Sequence, residues 1–153
     1  MKLLAFSSLP DEDQVLLRDA TSTLDRSLNK VTHPSTCAIA VGEKGRYRGN
    51  NVFLSNDTLS CAEAGAMAAA VAAGDRNVTK IYLAIGRPNG KPEPVSPCGN
   101  CRQWLHDFAR LNGNVIQVFS TTSNLDDVLV TDSDELLPGG FKSAGLGRMA
   151  EGK

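Results

Sequence analysis

Two short runs in this 153-residue sequence combine residue types that can hold a metal ion and move protons. They are Cys61-Ala62-Glu63 and Pro97-Cys98-Gly99-Asn100-Cys101. A C-x-x-C at the first turn of a helix aims both sulfurs at one point, and Cys61 at the start of another helix supplies a third. Three protein ligands leave the fourth tetrahedral position of a zinc ion for water, the open arrangement of a catalytic site. Such an ion lowers the pKa of its water from about 15.7 to about 7, so hydroxide is available at neutral pH. Three thiolates on one divalent ion leave net negative charge, which works against that effect. Predicted helix N-termini at all three cysteines offset it with partial positive charge and free backbone N–H groups. Arg102, next to the last ligand, is placed to add a hydrogen bond to sulfur. Glu63 falls two residues past Cys61, in the same helical turn, where a carboxylate can act as general acid and base toward the water.

Blander readings compete for the same residues. Cys37 as a fourth ligand would close the site and make the zinc structural. Cys37 stands inside an apolar run, however, and suits a small core residue. Ser60-Cys61-Ala62-Glu63 also fits the S-x-x-E capping box, which explains the spacing of Glu63 but not the cysteine between. Trp104 and Phe108, four apart, read as core. Neither His33 nor His106 has metal-ligand spacing.

The elements that must position these residues follow from periodicity. Residues 11–29 place Val15, Leu16, Leu17, Ala20, Leu24 and Leu28 at amphipathic-helix spacing, with acidic residues at the positive end. An apolar strand over Thr36–Val41 and a second from Tyr47 to Phe53 are joined by a Gly-containing turn, a hairpin signature. The alanine-rich run after Ser60 predicts a buried helix ending at Gly74. Lys80–Ile85 predicts a strand, Cys98 to about Leu111 a helix, Val115–Phe119 a strand, and Asp127–Val130 a short edge strand. Between them lies a Pro/Gly-rich loop with a turn at Asn89-Gly90. The order α-β-β-α-β-α-β-β predicts a three-layer α/β/α domain with a mixed, mostly parallel five-stranded sheet. It spans residues 1–141, with residues 142–153 a polar tail.

Composition narrows the function classes. The chain is 41% hydrophobic and 22% charged, with a net charge of −1. Sixteen basic against 17 acidic residues give no footprint for nucleic acid or an anionic membrane. No apolar run approaches a membrane span and no signal-like stretch is read at the N-terminus, so a cytoplasmic protein is expected. Four cysteines are too few for a disulfide scaffold and point to metal or catalysis.

C-x-E paired with P-C-x-x-C is a zinc deaminase pattern, and the sequence resembles the small cytidine deaminases and the related blasticidin-S deaminases. The resemblance runs from about Thr36 to Phe141. It rests on Gly49-Asn50-Asn51-Val52, Cys61-Ala62-Glu63, Ser96-Pro97-Cys98-Gly99-Asn100-Cys101-Arg102-Gln103 and Glu135-Leu136-Leu137-Pro138-Gly139-Gly140-Phe141. It implies a homotetramer with one Zn2+ per subunit, acting on a small nucleoside in pyrimidine salvage. By position, Cys61, Cys98 and Cys101 would be the ligands and Glu63 the proton shuttle. Asn51 would bond the ribose, the Ala62 N–H the pyrimidine carbonyl, and the Ser96 carbonyl the amine. Phe141 would close over the base in a neighbour's pocket, and Arg102 would support the thiolates.

The chain departs from the cytidine deaminases at three positions. Phe53 stands where those enzymes carry a Glu for the sugar 3′-hydroxyl. Ala64 replaces an Arg after the C-A-E run. His33 replaces a stacking Phe before the first strand. The expected reaction is hydrolysis of a cytosine nucleoside, cytidine, deoxycytidine or a modified analogue, to the uracil nucleoside and ammonia. A blasticidin-S-type antibiotic deaminase is the alternative, and a structural zinc module without activity is a third reading.

Overall fold

A computed structural model of the chain describes residues 1–29, 33–54, 59–86, 93–143 and 145. The turn expected at Asn89-Gly90 and most of the polar tail lie outside these residues. The elements are β1 (Lys2–Ala5), α1 (Asp11–Thr21), β2 (Ser35–Gly42), β3 (Arg46–Asn50), β4 (Val52–Phe53) and β5 (Leu59–Ser60). They continue as α2 (Ala62–Ala72), β6 (Val78–Gly86), α3 (Gly99–Asn112), β7 (Gln117–Thr122), β8 (Asp127–Asp132) and α4 (Ser133–Leu136).

Six strands form the main sheet in the order β1-β8-β7-β6-β2-β3, and β4 and β5 form a separate two-stranded sheet. Strand alternation sorts the core into two layers. Ile81, Leu83 and Ile85 of β6 face α2 and α3 with Ala38 and Ala40 of β2. Tyr82 and Ala84 face α1 with Cys37 and Ile39. Helices therefore cover both faces, as a three-layer α/β/α reading requires. β6 is buried from Ile81 to Ile85, which accounts for its unbroken apolar run.

The expected five strands, mostly parallel, need correction. Among the described residues the sheet has six, and only β6 and β7 of these pair in parallel. The crossover through α3 produces that pair. The crossover through α2 carries the chain from β3 to β6, which run the same way, but β2 lies between and is antiparallel to both. Residues 123–126 are too few for a crossover, so β8 turns back antiparallel on β7. β8 is also not an edge, because β1 pairs along it from Lys2↔Val130 to Ala5↔Asp127.

α1 ends at Thr21, well short of Asn29, and β3 ends at Asn50. α2 is less enclosed than expected: Ala68, Val71 and Ala72 are exposed. Its other side meets the sheet backbone to backbone. A Cβ at Gly49 would collide with the Ala62 carbonyl and the Ala66 amide, and Gly65 stands opposite. Only glycine permits this approach, which fixes the first turn of α2 against β3. Among the described residues no helix is long and apolar enough to cross a membrane.

Candidate active site

Both cysteine motifs sit where a strand-side segment turns into a helix. Cys61 is the N-cap of α2 and Cys98 the N-cap of α3, each with an extended backbone (φ −73°, ψ 148° and φ −66°, ψ 165°). Their carbonyls accept the first helical hydrogen bonds, from Gly65 N at 3.0 Å and Arg102 N at 2.9 Å. Cys101 lies one turn into α3 and is fully buried. The three sulfurs lie within 4.8 Å of one another, with Cys61 Sγ and Cys98 Sγ 3.5 Å apart. Bonds of about 2.3 Å in a zinc tetrahedron set sulfurs about 3.8 Å apart, so this spacing fits the ion.

The chemistry of the donors fits as well. Burial and the neighbouring Cys98 push the Cys61 thiol up to about 11. Burial, then the charges of Glu63 and the other two cysteines, push Cys101 higher still. Sulfurs that resist ionisation this strongly become thiolates together only when a cation offsets the repulsion. Cys37 is excluded as a fourth ligand. It is buried in the layer beneath α1, on the opposite face of the sheet, and accepts a hydrogen bond from Thr23 Oγ1 at 3.3 Å. Among the described residues no other His, Cys, Asp or Glu joins the cluster, so the fourth position stays open.

Glu63 is only 6% exposed, and burial raises the pKa of its carboxyl. Its own backbone N–H and the Cys101 thiol pull the other way without reversing the shift. The capping-box reading does not hold in its S-x-x-E form. Ser60 belongs to β5, Cys61 takes the cap position, and no side chain caps α2.

Cys61, Cys98 and Glu63 form one end of a cavity of about 260 Å³. Asn51 and Ser96, both expected at the substrate, line it too. Asn51 is already engaged with backbone: Oδ1 accepts from Thr36 N at 2.8 Å and Nδ2 donates to Pro34 O at 3.0 Å. One amide hydrogen and one lone pair remain for a ligand. Ala62 is buried in the first turn of α2, whose N–H groups have no helical acceptor. Phe53 lies one layer behind the cavity, stacked on His33 with ring centroids 4.0 Å apart, and His33 forms the wall. Phe141 is 75% exposed and does not line this chain's cavity; its carbonyl accepts from Gln103 Nε2 at 3.0 Å.

Arg102 was expected to bond a sulfur. Its two side-chain hydrogen bonds go elsewhere, from Nε to Pro97 O at 2.8 Å and from Nη2 to Ser96 Oγ at 2.7 Å. A fork reaching back across six residues braces the segment carrying Ser96. Ser120 Oγ holds the same segment from β7 by donating to Val95 O at 2.7 Å. The sequence reading missed Pro34, Thr36, Leu59, Leu83, Ile85 and Val95 as cavity walls. Leu59 and Val95 flank the motifs closely enough to have been suggested by position. Leu83 and Ile85 carry no signal beyond apolarity.

Comparison with known proteins agrees with this arrangement. The family model described as the cytidine and deoxycytidylate deaminase zinc-binding region matches residues 10–116. A cytidine deaminase of Sporosarcina psychrophila is 34% identical over 119 residues, covering 77% of this chain and 82% of that protein. One of Mycoplasma genitalium is 32% identical over 130 residues, covering 84% and 95%. The crystal structure of cytidine deaminase from Burkholderia pseudomallei superposes with a TM-score of 0.71 at 26% identity, covering 87% of this chain and 100% of that one. Similarity running through both cysteine motifs and over most of the chain places it in the cytidine deaminase family, as a zinc-dependent hydrolase.

Proposed function

We propose that this chain hydrolyses the exocyclic amine of a cytosine nucleoside, with cytidine and deoxycytidine as the substrate class. The observation that carries this reading is a buried carboxylate, Glu63, beside a three-sulfur cluster at one end of a nucleoside-scale cavity. Water adds to the ring carbon, the bond from that carbon to the amine breaks, and the uracil nucleoside and ammonia leave. Zinc, when bound, makes a water acidic enough to give up a proton near neutral pH.

The chain's own residues do the rest. Glu63 takes one proton from the attacking water and passes it to the ring nitrogen, then takes the remaining proton from the added hydroxyl and gives it to the departing amine. The Ala62 N–H receives the pyrimidine carbonyl and the Ser96 carbonyl receives the amine. The Arg102 bonds to Pro97 and Ser96 support that placement. Asn51 contributes its remaining amide hydrogen to the sugar. Leu83 and Ile85 keep the inner wall apolar and limit bulk water around the reacting carbon.

The test is loss of the cytosine ultraviolet chromophore with cytidine, 2′-deoxycytidine and 2′,3′-dideoxycytidine. All three are expected to turn over. With Phe53 where a carboxylate would bind the 3′-hydroxyl, removing that hydroxyl leaves no buried charge unpaired. The loss in kcat/KM should stay under about a hundredfold, roughly 2.7 kcal/mol. A protein inert toward all three would sink the substrate class.

The working unit is a homotetramer, in which Phe141 serves a neighbouring pocket. Its 75% exposure, together with exposed Leu28, Leu54 and Leu59, supports this. Sedimentation velocity should give about four times the 16.3 kDa chain mass; a monomer with full activity would remove the role of Phe141.

A further inference from the structure

The cavity wall near Asn51 holds one polar ring that the mechanism above leaves unused. His33 lines the cavity, half-buried, with Phe53 stacked on its ring at 4.0 Å between centroids and 26° between planes. Its backbone is held as firmly. Asn29 Nδ2 donates to His33 O at 3.3 Å and to Pro34 O at 2.9 Å, and Asn51 Nδ2 donates to Pro34 O at 3.0 Å. The ring is thus fixed in plane by an aromatic neighbour and at its base by two amides. Among the described residues neither imidazole nitrogen has a hydrogen-bond partner. A neutral imidazole offers one N–H donor and one nitrogen acceptor, so it meets a hydroxyl in either sense.

We propose that His33 recognises the sugar hydroxyls alongside Asn51, and that Phe53 acts through it as a positioning residue. This rests on the nucleoside reading above and deepens it. A half-buried imidazole ring discriminates less steeply than a buried carboxylate, because water replaces a missing hydroxyl at little loss. Selection for the hydroxyls should therefore be present but shallow.

The experiment measures kcat and KM of the zinc-loaded, full-length protein for cytidine and 2′,3′-dideoxycytidine. The parent should show a KM for cytidine about tenfold below that for the dideoxy analogue. His33→Phe should raise the cytidine KM about tenfold more than the dideoxycytidine KM, so that the preference is lost. His33→Gln, which keeps a donor and an acceptor, should retain most of the preference, and Phe53→Leu should narrow it. His33→Ala gives the same readout should the larger Phe fail to fold. A His33→Phe protein that keeps the preference, or one whose KM rises equally for both substrates, overturns the proposal; the second result would mean the ring only stacks on the base. A parent inert toward both nucleosides overturns the deamination reading itself, and this one with it.

Discussion

Glu63→Gln should keep its zinc and its fold while losing about 10⁴-fold or more in kcat. Glutamine has nearly the same shape and still accepts from the backbone N–H that holds the carboxylate. What it lacks is the ability to take up and release a proton. A single general acid/base contributes about 10²–10⁴-fold. Glu63 is assigned several transfers in one cycle, so the loss belongs at the top of that range or beyond. Burial at 6% exposure adds to this, because bulk water has poor access to relay protons in its place. The measurement is kcat on cytidine beside zinc content and thermal midpoint. Activity within tenfold of the parent, with metal and midpoint unchanged, would reduce Glu63 to an ordinary residue of the helix.

Cys98→Ala should take the zinc content from about one equivalent per chain to almost none, with complete loss of turnover. The two sulfurs left, of Cys61 and Cys101, cannot hold a four-coordinate ion as three can, and the cluster has no substitute ligand among the described residues. Zinc bound to the folded protein also stabilises it by linkage, so the thermal midpoint should fall on chelation of the parent. Cys37→Ala is the matching control. That cysteine lies on the other side of the sheet, so its loss should leave one zinc per chain and normal activity. The same assay checks the sign with pH: the ligands bind as thiolates, so protons compete and acid should release the ion. A Cys98→Ala protein that is active without zinc would overturn the metal centre altogether.

The metal centre was the most legible part of the sequence because its geometry is local. Two helix starts and a C-x-x-C carry their sulfurs a fixed distance from the backbone, and nothing remote had to be guessed except that the helices meet. The fold was legible where burial and periodicity agree, as in β6 and α3. It was not where side-chain hydroxyls or tertiary pairing decide. Leu24 and Leu28 continue the helical period of α1, yet the helix stops at Thr21. Ser22 and Thr23 turn their hydroxyls onto the carbonyls of Asp19 and Ala20 and compete with the helical pattern. β7 runs on to Thr122 although its apolar residues end at Phe119. Ser120 and Thr121 are buried polar residues satisfied by Val95 O and Asp127 O, and composition alone gives no hint of those partners. β1 has four exposed residues and no alternation, so only its partner β8 defines it. Partners at the site are equally hard to read from sequence: Asn51 bonds the backbone of Thr36 and Pro34, and Arg102 bonds Pro97 O and Ser96 Oγ, contacts that only the fold brings together.

The two-stranded sheet of β4 and β5 gives the cavity unequal walls. On one side Leu83 and Ile85 belong to a central strand paired with β2 from Val78 to Gly86 and with β7 from Lys80 to Ile85. On the other, Leu59 belongs to a ribbon with two register pairs, Val52↔Ser60 and Phe53↔Leu59, tied on by the bridge from Leu28 to Val52. A ribbon that short has little stability of its own, so its opening free energy lies near the bottom of the molecule's range and that of β6 near the top. The inner wall is a rigid reference surface that sets where the reacting carbon stops. The outer wall is compliant, and a ligand that presses on it is resisted by few hydrogen bonds. Altered sugars should therefore be tolerated more readily than altered bases, an effect of mechanics that adds to that of the polar groups lining the cavity.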